Sequence, residues 1–187
     1  APGVTVQDFA GGLMYGGTGT GTHEVYGEIV TRYKAMGAER SPLGLPTSGE
    51  VAGPLPGSRL TRFAGGVIVW SPATGARDLY GAIGGLYLSK GLASQLGLPT
   101  GSERAGTVAG VRVQDFQRGT IYWSAASGPA EIYGAIRDRY RALGAEKSTL
   151  GLPTTGEYAT STGRANDFQK GRISWNSRTG AITVTTS

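Results

Sequence analysis

Between Tyr133 and Leu143 the large apolar side chains fall at Tyr133, Ile136, Tyr140 and Leu143, with polar residues between them. Steps of three and four place these residues on one face of a helix. Glu131 ahead and Gly144 behind read as its start and stop signals. Tyr26, Ile29, Tyr33 and Met36 repeat the stripe and end at Gly37. A third version starts at Tyr80-Gly81-Ala82-Ile83 but carries Gly84-Gly85 in its interior. Glycine there costs about 1 kcal/mol relative to alanine, so this helix is expected to be the least stable of the three. Elsewhere the period changes to two. Val111–Phe116 and Thr120–Trp123 alternate as strands, joined by a tight turn at Arg118-Gly119. Thr74-Gly75, Ser127-Gly128 and Thr179-Gly180 then mark a further turn after each such strand.

The same words recur along the chain. Leu43-Gly44-Leu45-Pro46-Thr47 returns as Leu96–Thr100 and as Leu150–Thr154, and Glu50, Glu103 and Glu157 each follow the Thr by three. Phe9, Phe63, Phe116 and Phe168 each precede a Gly by three, and Trp70, Trp123 and Trp175 come next, with Gly16 at that place in the first copy. The chain divides into a partial unit at 1–21, which is the strand-hairpin end of a unit, and full units at 22–75, 76–128 and 129–187. Repetition at this period indicates an array of small units rather than one large core. The expected fold class is mainly β with one short helix per unit, an α+β repeat.

Leu-Gly-Leu-Pro cores with Tyr-Gly-x-Ile upstream and Phe-x-x-Gly-x-Ile-x-Trp downstream resemble LGFP repeats, with Leu45, Leu98 and Leu152 in place of the family's Phe. The resemblance covers nearly the whole chain. It implies small β-rich units, an actinobacterial cell-envelope setting and attachment to cell-wall polysaccharide. It implies no catalytic activity; in such proteins an enzyme, where present, is a separate domain of a longer chain.

Composition narrows the chemistry. The absence of Cys removes disulfides, thiolate metal sites and Cys nucleophiles. The 33 glycines among 187 residues fit many tight turns and short strands. No apolar run is long enough to span a bilayer as a helix. The N-terminal Ala1-Pro2-Gly3 carries no signal-peptide pattern and is compatible with a mature end. A net charge of +5 is spread along the chain, and the densest group, Arg137, Arg139 and Arg141, does not line one helix face. Nucleic acid is therefore not the expected partner, whereas an acidic glycan remains compatible.

His23 is the only histidine and varies between units (Arg77 and Ala130 stand at its place), which reads as a solvated loop residue rather than a catalytic or metal group. No cofactor and no metal site is expected. Repeated carboxylates, Glu50, Glu103 and Glu157 with Asp8, Asp115 and Asp167, supply what glycoside hydrolysis needs. A catalytic pair should nevertheless occur once, not in every unit. Arg59, Arg112 and Arg164 stand four residues before each Phe. An arginine fork either pairs with the repeated Glu or clamps a ligand's oxygens. Trp70, Trp123 and Trp175 offer faces for sugar stacking. Strand alternation instead puts them beside Ile68, Ile121 and Ile173 in the core, leaving Val69, Tyr122 and Ser174 on a solvent-exposed face. Tyr80 and Tyr133 read as packing residues with a hydroxyl that reaches ligand.

These features lead to one expected function: a non-catalytic, secreted or wall-associated module that binds cell-wall glycan (arabinogalactan- or peptidoglycan-like) or another carbohydrate through weak sites between repeats. The ligand-contact candidates are Arg59, Arg112, Arg164, Trp70, Trp123, Trp175, Tyr80, Tyr133, Glu103 and Asp115. The alternative is a structural stalk or spacer for a separate catalytic domain, and a glycoside hydrolase is the third reading.

Overall fold

A computed structural model describes residues 3–187 and divides the chain into two compact units. The first, residues up to 93 with 98–102, begins with β1 (Val4–Phe9), β2 (Gly12–Gly17) and β3 (Gly21–Tyr26), which form an antiparallel three-stranded sheet. Next come α1 (Gly27–Met36), then β4 (Pro46–Ala52), β5 (Arg59–Phe63), β6 (Gly66–Trp70) and β7 (Arg77–Tyr80) in a four-stranded sheet, then α2 (Gly81–Ser89). A short helical turn, α3 (Ala93–Leu96), follows.

The second unit, residues 94–97 with 103–187, repeats this plan. Its first sheet holds β8 (Arg104–Ala105), β9 (Arg112–Asp115), β10 (Gly119–Ser124) and β11 (Gly128–Tyr133). After α4 (Gly134–Ala142) its second sheet holds β12 (Tyr158–Ala159), β13 (Gly163–Phe168), β14 (Gly171–Asn176) and β15 (Ile182–Thr186). The fold is mainly β with short helices, as the alternation predicted. No helix of the described residues is long and apolar enough to cross a membrane.

In each unit one helix is packed between two sheets. Ile29, Val30 and Tyr33 of α1 share a core with Leu13, Tyr15 and Val25 of the first sheet and with Phe63 and Ile68 of the second. Ile136 and Tyr140 of α4 join Val113, Tyr122 and Ile132 on one side and Phe168 and Ile173 on the other. The helical tyrosines are the centre of this packing. The Tyr33 ring lies 5.8 Å from Tyr15, edge-on, and 4.6 Å from Phe63; Tyr140 lies 5.6 Å from Tyr122 and 4.8 Å from Phe168.

The two sequence words have a backbone cause. Gly27, Gly81 and Gly134 turn the chain from strand into helix with φ between +53° and +61°, a region closed to most side chains. In Leu-Gly-Leu-Pro, Gly44 and Gly151 also have positive φ, and their carbonyls accept the Tyr33 and Tyr140 hydroxyls at 2.7 and 2.8 Å. Burial pushes both tyrosines well above the usual phenol range, so each stays a donor at any working pH.

Three sequence expectations are corrected. Val69 and Tyr122 are not solvent-exposed; they are buried, because a helix covers the sheet face opposite the tryptophans. Glu131 is not a helix-start residue: it lies buried in β11, and a Cβ on Gly156 would overlap its carboxylate. His23 sits in β3 rather than a loop and bonds the Thr20 carbonyl. Gly84 in α2 has a packing role. A Cβ there would stand 2.6 Å from the Leu79 carbonyl carbon, so its absence lets the helix approach β7.

Candidate functional site

Strand pairing sets each recurring Arg opposite the recurring Trp: Arg59 faces Trp70, Arg112 faces Trp123 and Arg164 faces Trp175. Directly opposed residues share a sheet face, so a guanidinium and an indole stand side by side three times. Each Arg also reaches the Glu that follows its Leu-Gly-Leu-Pro. Arg59 Nε donates to Glu50 at 2.9 Å and Arg112 Nε to Glu103 at 2.8 Å, and Arg164 Nε bonds Glu157 closely. The internal ion pair weighed for these arginines is thus present in every repeat that carries the Arg.

In the second unit the pair lines a crevice of about 290 Å³ whose other walls are Tyr133, Gly134, Ala135, Ile136 and Trp175. The last residue of β11 and the first turn of α4 form one side, and β13 and β14 form the other. Arg164 Nη2 donates to the Tyr133 hydroxyl at 3.2 Å and to the Glu157 carbonyl at 3.1 Å. The Glu157 side chain keeps only 5% of its surface. Burial raises its carboxyl above the usual range, and bonds from Arg164 and Tyr133 oppose that rise. Burial, with Glu157 beside it, also raises the Tyr133 phenol. The result is a mostly apolar slot with one half-buried indole and one charge-paired polar edge.

The first unit builds the same crevice at the same register. Tyr26, Gly27, Glu28, Ile29, Glu50 and Trp70 enclose about 340 Å³ at the start of α1. Here the Trp70 indole N–H is enclosed without a hydrogen-bond partner among the described residues. Ala135 of the second unit's crevice is replaced by Glu28, a further carboxylate.

Of the candidate residues, Arg164, Trp175 and Tyr133 meet in the crevice of the second unit, and Trp70 lines that of the first with Arg59 on its Glu50. Arg112, Glu103 and Trp123 keep the Arg–Glu pair and its indole neighbour. Tyr80 ends β7 and packs on the core of the first unit. Asp115 is set apart: it alternates to the face opposite Arg112 and bonds Arg104 at 2.8 Å and Thr120 at 2.9 Å. Sequence reasoning passed over Ile29, Ile136 and the helix-start glycines as crevice walls, although their repetition in register was the available signal. No group of His, Cys, Asp and Glu suited to a metal ion occurs among the described residues.

Comparison with family models gives matches to the LGFP repeat over residues 1–41, 43–94, 96–148 and 150–187. Comparison with curated proteins gives no match.

Proposed function

Since the chain belongs to the LGFP repeat family, a family of repeat modules, we propose that it is a non-catalytic, envelope-associated module that binds cell-wall polysaccharide through its repeated crevices. The observation that carries this reading is the same constellation at the same register in both units: Tyr, Ile and Trp walls with an arginine-paired Glu at one edge. An indole face suits the C–H face of a sugar ring, and the Arg, Glu and Tyr edge suits its hydroxyls. Binding per slot is weak, and a polymer that meets several slots gains affinity through effective concentration.

Catalysis is not favoured by the same geometry. The carboxylate common to both crevices, Glu50 or Glu157, is already tied to an arginine, and the second carboxylate a glycosidase needs, Glu28, stands in the first crevice alone and gives way to Ala135 in the second. The stalk reading draws on the same Arg–Glu pairs, since each is satisfied inside the fold. Sedimentation with insoluble actinobacterial wall, before and after removal of its arabinogalactan, separates the two. Retention that falls on stripping supports glycan binding, and retention equal to background on both walls supports the spacer.

A further inference from the structure

The register of the repeats reveals a sheet face that is uncovered among the described residues. In the second sheet, Phe63 and Ile68 face α1 and are buried, and in the last sheet Phe168 and Ile173 face α4 and are buried. Their counterparts in the first sheet are Phe9 and Met14, which lie on the face away from α1. Phe9 is 50% and Met14 39% exposed, against 5% and 0% for Phe63 and Ile68. The edge is open as well. β5, β9 and β13 each pair with a strand that follows Leu-Gly-Leu-Pro, whereas among the described residues β1 pairs with β2 alone.

The last sheet ends differently. Its face away from α4 carries Arg172, Ser174 and Thr185 where the second sheet carries Val67, Val69 and Leu79. That face is polar where its counterpart is apolar. The first sheet keeps apolar residues at the packing positions. It also has Thr5 and Gly16 where a crevice needs Arg and Trp, so the bare face is not a sugar slot.

We propose that this face is a docking surface for the helix-and-strand half of a further repeat of the same kind. The occupant is a helix with an Ile-x-x-x-Tyr stripe, like Ile29 and Tyr33 of α1, followed by a Leu-Gly-Leu-Pro strand. The stripe covers Phe9 and Met14, and the strand pairs with the open edge of β1. Continuity with the two helix–sheet contacts already described carries this choice of occupant.

The test supplies that half-repeat to the full chain. A copy of residues 27–54 is fused ahead of Ala1, a junction that preserves the register because Gly3 and Gly57 are counterparts with φ of +78° and +76°. Amide hydrogen exchange is then read in β1. Protection should rise about tenfold or more over the unextended chain, as expected when an exposed edge becomes an internal strand. A second fusion, with Asp at the copied Ile29 and Tyr33, should give no rise, and neither should Phe9→Ser in the intact fusion. Equal exchange in all forms overturns the proposal. So does concentration-dependent dimerisation of the unextended chain that Phe9→Ser abolishes, which would make a second copy the occupant.

Discussion

Replacing Arg164 by Ala isolates the charge pair on which the crevice of the second unit is built. Glu157 retains 5% of its side-chain surface and Arg164 38%. A hydrogen bond to a charged group contributes about 1.5–3 kcal/mol. Solvent screening at the partly exposed guanidinium argues against the upper end of that range. Loss of the Arg also leaves a buried carboxylate unpaired, which is the larger part of the cost. The expected destabilisation is therefore about 2 kcal/mol at neutral pH. Its pH dependence has a definite sign. Burial raises the folded-state value of Glu157 above its unfolded value. Its contribution is then full below the unfolded carboxylate range and is lost as pH rises through the folded value. Without Arg164 that folded value moves higher still, so the variant loses most at neutral pH. At an acidic pH below the ordinary carboxylate range, where the raised folded-state value keeps Glu157 neutral in both proteins, the deficit should shrink. Urea unfolding of both proteins at the two pH values measures it, and Arg164→Ala with Glu157→Gln should recover part of the neutral-pH loss. A deficit that is the same at both pH values would refute the claim that an unpaired buried carboxylate causes it.

Helix propensity and packing make opposite demands on the adjacent glycines of α2. Gly85→Ala meets nothing within 4 Å and should stabilise by up to about 1 kcal/mol; Gly84→Ala meets Leu79 and should destabilise, and thermal unfolding distinguishes them. Tyr140→Phe removes the bond to the Gly151 carbonyl and should cost about 1 kcal/mol or more in denaturant unfolding, because the acceptor is left in a partly buried place. Trp175→Ala should lower retention on wall polysaccharide while leaving the exchange protection of β13 largely in place; equal retention would remove the indole from the ligand site. Asp115→Asn, on the face opposite Arg112, should leave retention unchanged in the same assay.

The elements were legible in the chain because the period changes from three-and-four to two at each repeat, and the Tyr-Gly and Leu-Gly words mark where it changes. What pattern alone missed was cover. Alternation put Trp70 inward and so assigned Val69 to solvent, but a strand under helices on both faces has no polar side. Glu131 misled for a related reason. A carboxylate ahead of a helix is usually an exposed start signal, whereas here the last strand of a sheet runs directly into the helix and the side chain lies at a buried seam with Gly156. The Arg–Glu pair was readable from register alone. Its meeting with Tyr133 and Trp175 was not, because the crevice joins the end of one sheet to the face of the next, and no local spacing encodes that.

The central claim is that the repeated crevices hold sugar. Titrating the ¹⁵N-labelled chain with soluble oligosaccharides released from actinobacterial arabinogalactan tests it directly, through the indole N–H signals of Trp70 and Trp175. The account predicts saturable shifts at both indoles and at the helix-start amides of Gly27 and Gly134, abolished at Trp175 by Arg164→Ala in a variant that is still folded. Saturable shifts confined to other surfaces, or none at millimolar sugar, would contradict it.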